Sequence, residues 1–130
     1  MSIGSHYVYD LHYHIVFPTK GRINHLSETI SEIIVDKALS FADKYRISID
    51  KLGMDKNHIH LLCSIPPSMS IGQLVRIFKS LTAQAVFEKR PELAKLWNHQ
   101  FWSDGYYAAT TASGATMDAV ALYVANQGKE

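Results

Sequence analysis

Three arrangements of residues in this sequence have the types and spacing to do chemistry. The tripeptide His58-Ile59-His60 sets two imidazoles two residues apart. On a strand, where side chains alternate with period two, both rings share one face and Ile59 takes the other. Rings roughly 6–7 Å apart along a strand can converge on one metal ion, although the same pattern suits two polar residues on a solvated sheet face. His12-Tyr13-His14 repeats the spacing and competes for such an ion, with Tyr13 turned to the opposite face. Towards the C-terminus, Tyr123 and Gln127 stand four residues apart, which on a helix places them one turn apart on one face. A glutamine amide oxygen is a weak neutral ligand, poor for zinc but acceptable to magnesium or manganese. A phenol can attack phosphorus when a metal polarises the phosphate. The bland alternative has Tyr123 packed in a core and Gln127 on the surface.

The elements that must position these groups follow from periodicity. Residues Tyr7–Phe17 alternate, with Tyr7, Tyr9, Leu11, Tyr13, Ile15 and Phe17 on one face, and read as a strand ended by Pro18 and Gly21. Ser27 caps a helix reaching about Tyr45, with Ile30, Ile33, Ile34, Ala38 and Phe41 at helical spacing. Ile47–Met54 and His58–Ile65 read as two strands of a hairpin about the turn Asp55-Lys56-Asn57, and Pro66-Pro67 stops the second. Ser70 caps a second helix to about Lys89, striped by Ile71, Leu74, Val75, Phe78, Leu81 and Ala85. Pro91 and Trp97–Gln100 form a connector, Phe101–Thr111 a last strand or bent strand pair kinked at Asp104-Gly105, and Ala115–Gln127 a final alanine-rich helix. The order β-α-β-β-α-β is the split βαβ, ferredoxin-like α+β sandwich: an antiparallel sheet, two packed helices on one face, and here an additional C-terminal helix.

Length and composition narrow the possibilities. A chain of 130 residues, 47% hydrophobic and 19% charged, suits one folded domain over 1–130 and excludes disorder as the main state. The longest apolar run, Ala119–Ala125, is far short of the ~18 residues of a membrane span, and no basic-then-apolar leader opens the sequence. A single cysteine, Cys63, makes neither an internal disulfide nor a cysteine zinc cluster. A soluble intracellular protein is expected. Thirteen Lys and Arg against twelve Asp and Glu give a net charge of +1, too little for a protein that grips a long duplex by its phosphates. A nucleic-acid role must rest on a local patch and a short single-stranded or folded target. Lys20 and Arg22 after the first strand, Lys56 beside the paired histidines, and Arg76 and Lys79 on the second helix are the candidate phosphate contacts. Tyr106 and Tyr107 can stack an unpaired base.

Taken together and in order, these motifs resemble the HUH single-tyrosine transposases of small bacterial insertion sequences, over nearly the whole chain. Tyr13-His14-Ile15-Val16-Phe17-Pro18-Thr19-Lys20 resembles that family's first strand and basic exit. Asn57-His58-Ile59-His60-Leu61-Leu62 resembles its metal-binding strand, Phe101–Tyr107 its last strand, and Tyr123-Val124-Ala125-Asn126-Gln127 its nucleophile helix.

The resemblance implies a metal-dependent DNA transposase. His58, His60 and Gln127 would hold one Mg²⁺ or Mn²⁺; Tyr123 would attack the scissile phosphate to give a 5′-phosphotyrosine link and a free 3′-hydroxyl. The substrate would be single-stranded DNA bearing a hairpin, and no small-molecule cofactor is implied. A homodimer is expected, in which the Tyr123 helix can serve the partner's histidines. The small residues Ala112-Ser113-Gly114-Ala115 suit a hinge before that helix, and Ser113-Gly114 equally suits a plain helix start. The expected location is the cytoplasm of a bacterium or archaeon. Under the same resemblance His12 and His14 become sheet-face or supporting residues. Alternatives are a domesticated relative acting on repeated genomic palindromes, or a catalytically idle nucleic-acid-binding ferredoxin-like module. A relaxase-type nickase fits less well, since such proteins usually carry more domains.

Overall fold

The computed structural model describes residues 2–3, 8–22 and 26–111. Four strands form one antiparallel sheet: β3 (His12–Pro18), β4 (Ser48–Met54), β5 (His58–Ser64) and β6 (Tyr107–Thr110), in the spatial order β4-β5-β3-β6. A separate two-stranded ribbon pairs β1 (Ser2–Ile3) with β2 (Val8–Tyr9). The α-helices are α1 (Glu28–Tyr45), α2 (Ile71–Lys89) and the short α3 (Pro91–Leu96), and a single 3-10 turn spans Lys20–Arg22. This is the expected ferredoxin-like α+β sandwich. Among the described residues no helix is long and apolar enough to cross a membrane.

Local chemistry sets each boundary. Ser27 accepts the backbone N–H of Ile30 at the start of α1, and Ser70 with Gln73 makes a reciprocal capping box at the start of α2. The expected strand over Tyr7–Phe17 is instead two pieces. Leu11 still takes the Ile65 N–H (3.1 Å), but the partner chain then enters Pro66-Pro67, which has no N–H to offer. The preceding residues leave the sheet and pair with the N-terminus. The connector after α2 contains a helix the sequence reading did not include: Pro91 sits in its first turn, where a missing N–H costs nothing, and Leu93 and Ala94 face the core.

The core lies between the helices and one sheet face. Ile15 and Phe17 of β3, and Ile59, Leu61 and Cys63 of β5, are buried against Ile34, Phe41, Leu74 and Phe78. Phe17 stacks on Phe78 with ring centres 4.4 Å apart. Cys63 is a small buried hydrophobe, its thiol pushed up to about 12 by burial. The segment before β6 is tied to the same core: Trp102 bridges to Thr19, and its indole N–H donates to Thr82 Oγ1 (2.9 Å), which itself donates to the Phe78 carbonyl (2.7 Å). Thr82→Val keeps the shape but leaves the buried indole N–H without its acceptor. It should lower the unfolding free energy by about 1–3 kcal/mol in urea titrations, with Thr82→Ser recovering most of the loss.

Candidate active site

The register of the central strands decides what the open face displays. In the β3–β5 pair Val16 stands opposite His60, His14 opposite Leu62 and Pro18 opposite His58. Residues directly opposite share a face, so His14, His58 and His60 lie together on the side away from the α1–α2 core. The His58 and His60 rings are 4.6 Å apart at 73°, and those of His14 and His60 are 5.5 Å apart. On β4, Gly53 pairs with His60 and Lys51 with Leu62. A cavity of about 350 Å³ opens beside the rings, with His14, Lys51, Gly53, Met54, Asp55 and His60 in its wall.

The turn leading into β5 is fastened to the rest of the sheet. Thr19 directs both its N–H (2.9 Å) and its hydroxyl (3.1 Å) to the Asn57 carbonyl, and the Leu26 N–H donates to the Lys56 carbonyl (3.0 Å). Within that turn Asn57 Oδ1 lies 2.9 Å from His58 Nδ1, and Asp55 Oδ2 lies 3.6 Å from His58 Nε2. His58 is almost wholly buried.

Electrostatics separate His14 and His60 from His12. Burial pulls the His60 pKa down to about 4, and repulsion from His58, His14 and Lys51 adds to it, against an opposing pull from Asp55. Burial, then Lys51, also lowers His14. Both rings are therefore neutral near pH 7, with lone pairs rather than protons to offer. His12 is the opposite case. Its Nε2 lies 2.7 Å from Asp10 and its Nδ1 3.0 Å from Asp50, and these hydrogen bonds raise its pKa. Asp50 reaches it because β4 bulges between Ile49 and Lys51, re-aiming one side chain. His12 is thus occupied by carboxylates, and the His12-Tyr13-His14 motif does not form a ligand pair.

The donor set suits a divalent cation. Two imidazoles meet at short range beside the Asp55 carboxylate, and burial keeps His60 unprotonated near neutral pH. Among the described residues no three His, Cys, Asp or Glu side chains form a metal-holding group. Tyr123, Gln127, the expected helix 115–127 and the hinge 112–115 lie outside the described residues. Of the basic candidates, Lys56 is exposed in the turn next to His58 and Arg76 is exposed on α2. Lys20 lines a separate groove with Lys79 and His99, and the Arg22 side chain is outside the described set. Lys79 is engaged by its own chain. Its ammonium donates to the carbonyls of Ser103 (2.7 Å) and Gly105 (3.1 Å) and lies 5.9 Å from the Tyr106 ring centre, so it braces the turn before β6. Asp55 and Lys51 were not singled out in the sequence; the hairpin turn and the strand pairing that bring them to His58 and His60 were the only available signals.

Comparison with known proteins bears on the family and the fold. Residues 7–127 match the protein family described as Transposase IS200 like. The ISDra2 transposase TnpA of Deinococcus radiodurans is 28% identical over 128 residues, covering 98% of this chain and 91% of that protein. The transposase for insertion sequence element IS200 of Salmonella typhimurium is 26% identical over 127 residues, covering 97% of this chain and 82% of that protein. The crystal structure of a candidate transposase from Deinococcus radiodurans R1 superposes with a TM-score of 0.88 at 27% identity, over 98% of each chain. A REP-associated tyrosine transposase bound to a REP hairpin shares the fold, with a TM-score of 0.61 at 11% identity over 99% of this chain and 74% of that one.

The contrast between the histidines predicts their titration. By NMR, the His60 ring should stay neutral down to about pH 4, His14 should titrate below 6.5 and His12 above it. The linkage signs oppose each other. Below 6.5 the unfolded chain takes a proton before His60 does, so this group's effect on stability worsens as pH falls towards 4. The stabilisation from His12 is full below 6.5 and fades as pH rises through its raised value. Asp50→Asn should move the His12 midpoint down and leave that of His60 in place.

Proposed function

Since this chain belongs to the IS200-like transposase family, we propose that it cuts and rejoins single-stranded DNA at hairpin-marked ends with Tyr123 as the nucleophile. The observation that carries this reading is the meeting of His58 and His60, 4.6 Å between ring centres, on the open face, with His60 held neutral.

In the proposed reaction the Tyr123 phenol attacks the scissile phosphorus. The bond to the 3′-oxygen breaks, leaving a 5′-phosphotyrosine link and a 3′-hydroxyl, and the proton lost by the phenol is balanced by the one the 3′-oxygen gains. Mg²⁺ or Mn²⁺ held by His58, His60 and Gln127 would draw charge from the phosphate. A phenol of pKa ~10 leaves more readily than an alkoxide, so another 3′-hydroxyl can reverse the step and complete strand transfer without an external energy source. Lys56, exposed beside His58, is the basic residue best placed to meet the DNA backbone there, with Lys20, Arg22 and Arg76 as further contacts. The nucleophile comes from the segment after residue 111, and the proposal includes a homodimer in which that segment serves the partner's histidines. A cytoplasmic protein suits such a substrate.

The likeness to transposases of insertion sequences is closer, at 26–28% identity, than that to the REP-associated protein at 11%. An element's own transposase is therefore preferred to an enzyme of repeated genomic palindromes. A 5′-tailed hairpin oligonucleotide with Mn²⁺ should give a covalent protein–DNA band on denaturing gels. Tyr123→Phe should abolish it while hairpin binding persists. His58→Ala or His60→Ala should reduce it by about a hundredfold or more, the scale of losing one stabiliser of transition-state charge. A covalent band from the Phe variant would assign the attack to another residue, and binding without any band from the parent chain would favour the idle module.

A further inference from the structure

We propose that Lys51 is a DNA-binding residue of the site described above: its ammonium holds a phosphate of the bound strand next to the scissile one, with the strand seated in the cavity that Lys51 and His60 both line. This rests on the strand-transfer reading and adds a residue to it.

An irregularity of β4 delivers Lys51 to the open face. Ile49 pairs with Cys63, which is buried on the core side. Regular alternation from there would set Lys51 opposite Leu61 and turn it, like Ile49, towards the core. The bulge between Ile49 and Lys51 adds Asp50 to the strand, so Lys51 pairs with Leu62 instead. His14 stands opposite Leu62 on the other side. Lys51, Leu62 and His14 thus form one row across β4, β5 and β3, and Gly53 and His60 belong to the next. Such rows are roughly 6–7 Å apart along a strand, a distance that the flexible four-carbon stem of a lysine spans.

The surroundings suit a phosphate. The cavity of about 350 Å³ has Lys51, Gly53 and His60 in its wall. A Cβ at Gly53 would make only ordinary contact with the His60 Cβ, at 3.7 Å, so what the glycine provides is open space. Lys51 stands near enough for its charge to lower the pKa of both His14 and His60. Among the described residues its ammonium makes no hydrogen bond or ion pair, whereas that of Lys79 is taken up by the Ser103 and Gly105 carbonyls. The adjacent Asp50 carboxylate is turned to His12, and Asp55 lies near His58. Lys56 is exposed in the turn before β5. A strand laid along β5 therefore meets Lys56 at one end of the histidine pair and Lys51 at the other.

The test follows binding of the 5′-tailed hairpin oligonucleotide by Tyr123→Phe protein, which should hold DNA without cutting it, over a range of NaCl concentrations. Lys51→Met should weaken binding about tenfold at low salt. It should also reduce the slope of log K against log[NaCl] by about 0.7, the value for one single-strand phosphate contact. Lys51→Arg should restore both. Lys44→Met removes an exposed ammonium from the last turn of α1, on the opposite side of the sheet, and should leave the slope unchanged. Gly53→Val keeps every charge but puts methyl groups into the cavity; it should weaken binding with the slope and the thermal midpoint close to those of the parent. An unchanged slope in Lys51→Met, or an equal drop in Lys44→Met, overturns the contact, and full binding by Gly53→Val overturns the seating in the cavity. The covalent band of the Tyr123 protein is scored separately. Binding and a Lys51 effect without a band would sink strand transfer and leave the contact standing; a band with an unchanged slope would sink Lys51 alone; no binding at all would sink both.

Discussion

The pairing register between β3 and β5 is the constraint on which the rest of this molecule depends. Side chains on a strand alternate strictly, so a slip of one residue exchanges the two faces of the whole strand. With Phe17 opposite Ile59 and Val16 opposite His60, one face of this pair is hydrocarbon and the other carries imidazoles. A one-residue shift of β5 would drive His58 and His60 into the space that Phe78 and Leu74 fill, and would expose Ile59, Leu61 and Cys63. Burying two polar rings without partners costs on the order of 1–3 kcal/mol each, and stranding three apolar side chains in water costs a similar amount apiece. The hydrophobic core and the histidine site are therefore specified by one choice, and neither can be altered without the other.

Within that register, small irregularities give the histidines of the sheet different tasks. The bulge at Asp50 turns a carboxylate towards His12 and holds that ring as a proton-carrying link between Asp10 and β4. Two residues along the same strand, burial and then Lys51 lower the His14 pKa. Two histidines on one strand thus shift in opposite directions, and the bulge in β4, two strands away, sets which of its side chains reaches His12. The docked turn 55–57 has the same kind of effect on β5, where Thr19 and Leu26 hold the backbone that carries Asn57, Asp55 and His58.

Much of this was legible in the sequence because the signals were local. The Ser27 and Ser70 caps, the apolar stripes of α1 and α2 and the alternation around Phe17 and Ile59 each follow from a few consecutive residues, and they produce the ferredoxin-like order of strands. His58 and His60 could likewise be paired by spacing alone. What spacing does not contain is the partner across the sheet. The break before β3 depends on prolines more than fifty residues later in the chain; the Asp50 bulge and the His14–His60 contact depend on register; and Lys79 could not be told from a free surface cation without the Ser103 and Gly105 carbonyls in view. Pro91 misled in the other direction, since a proline ends one helix and begins another with equal ease.

The two halves of the proposed chemistry are unequal in how they are built, and that inequality has a physical sense. The imidazoles sit on the two central strands of a sheet backed by a close-packed core, where small displacements are resisted by many contacts at once. Tyr123 and Gln127, the proposed nucleophile and third ligand, follow β6 in the sequence. A ligand pair gains from rigidity, because a metal site that is already formed loses little entropy on binding its ion. A covalent nucleophile has a second requirement: after attack it holds one DNA end, and that end must be brought to a different 3′-hydroxyl before the step is reversed. In the proposed reaction, a phenol carried outside the sheet would let the charge-stabilising imidazoles stay fixed while the DNA-carrying nucleophile exchanges partners.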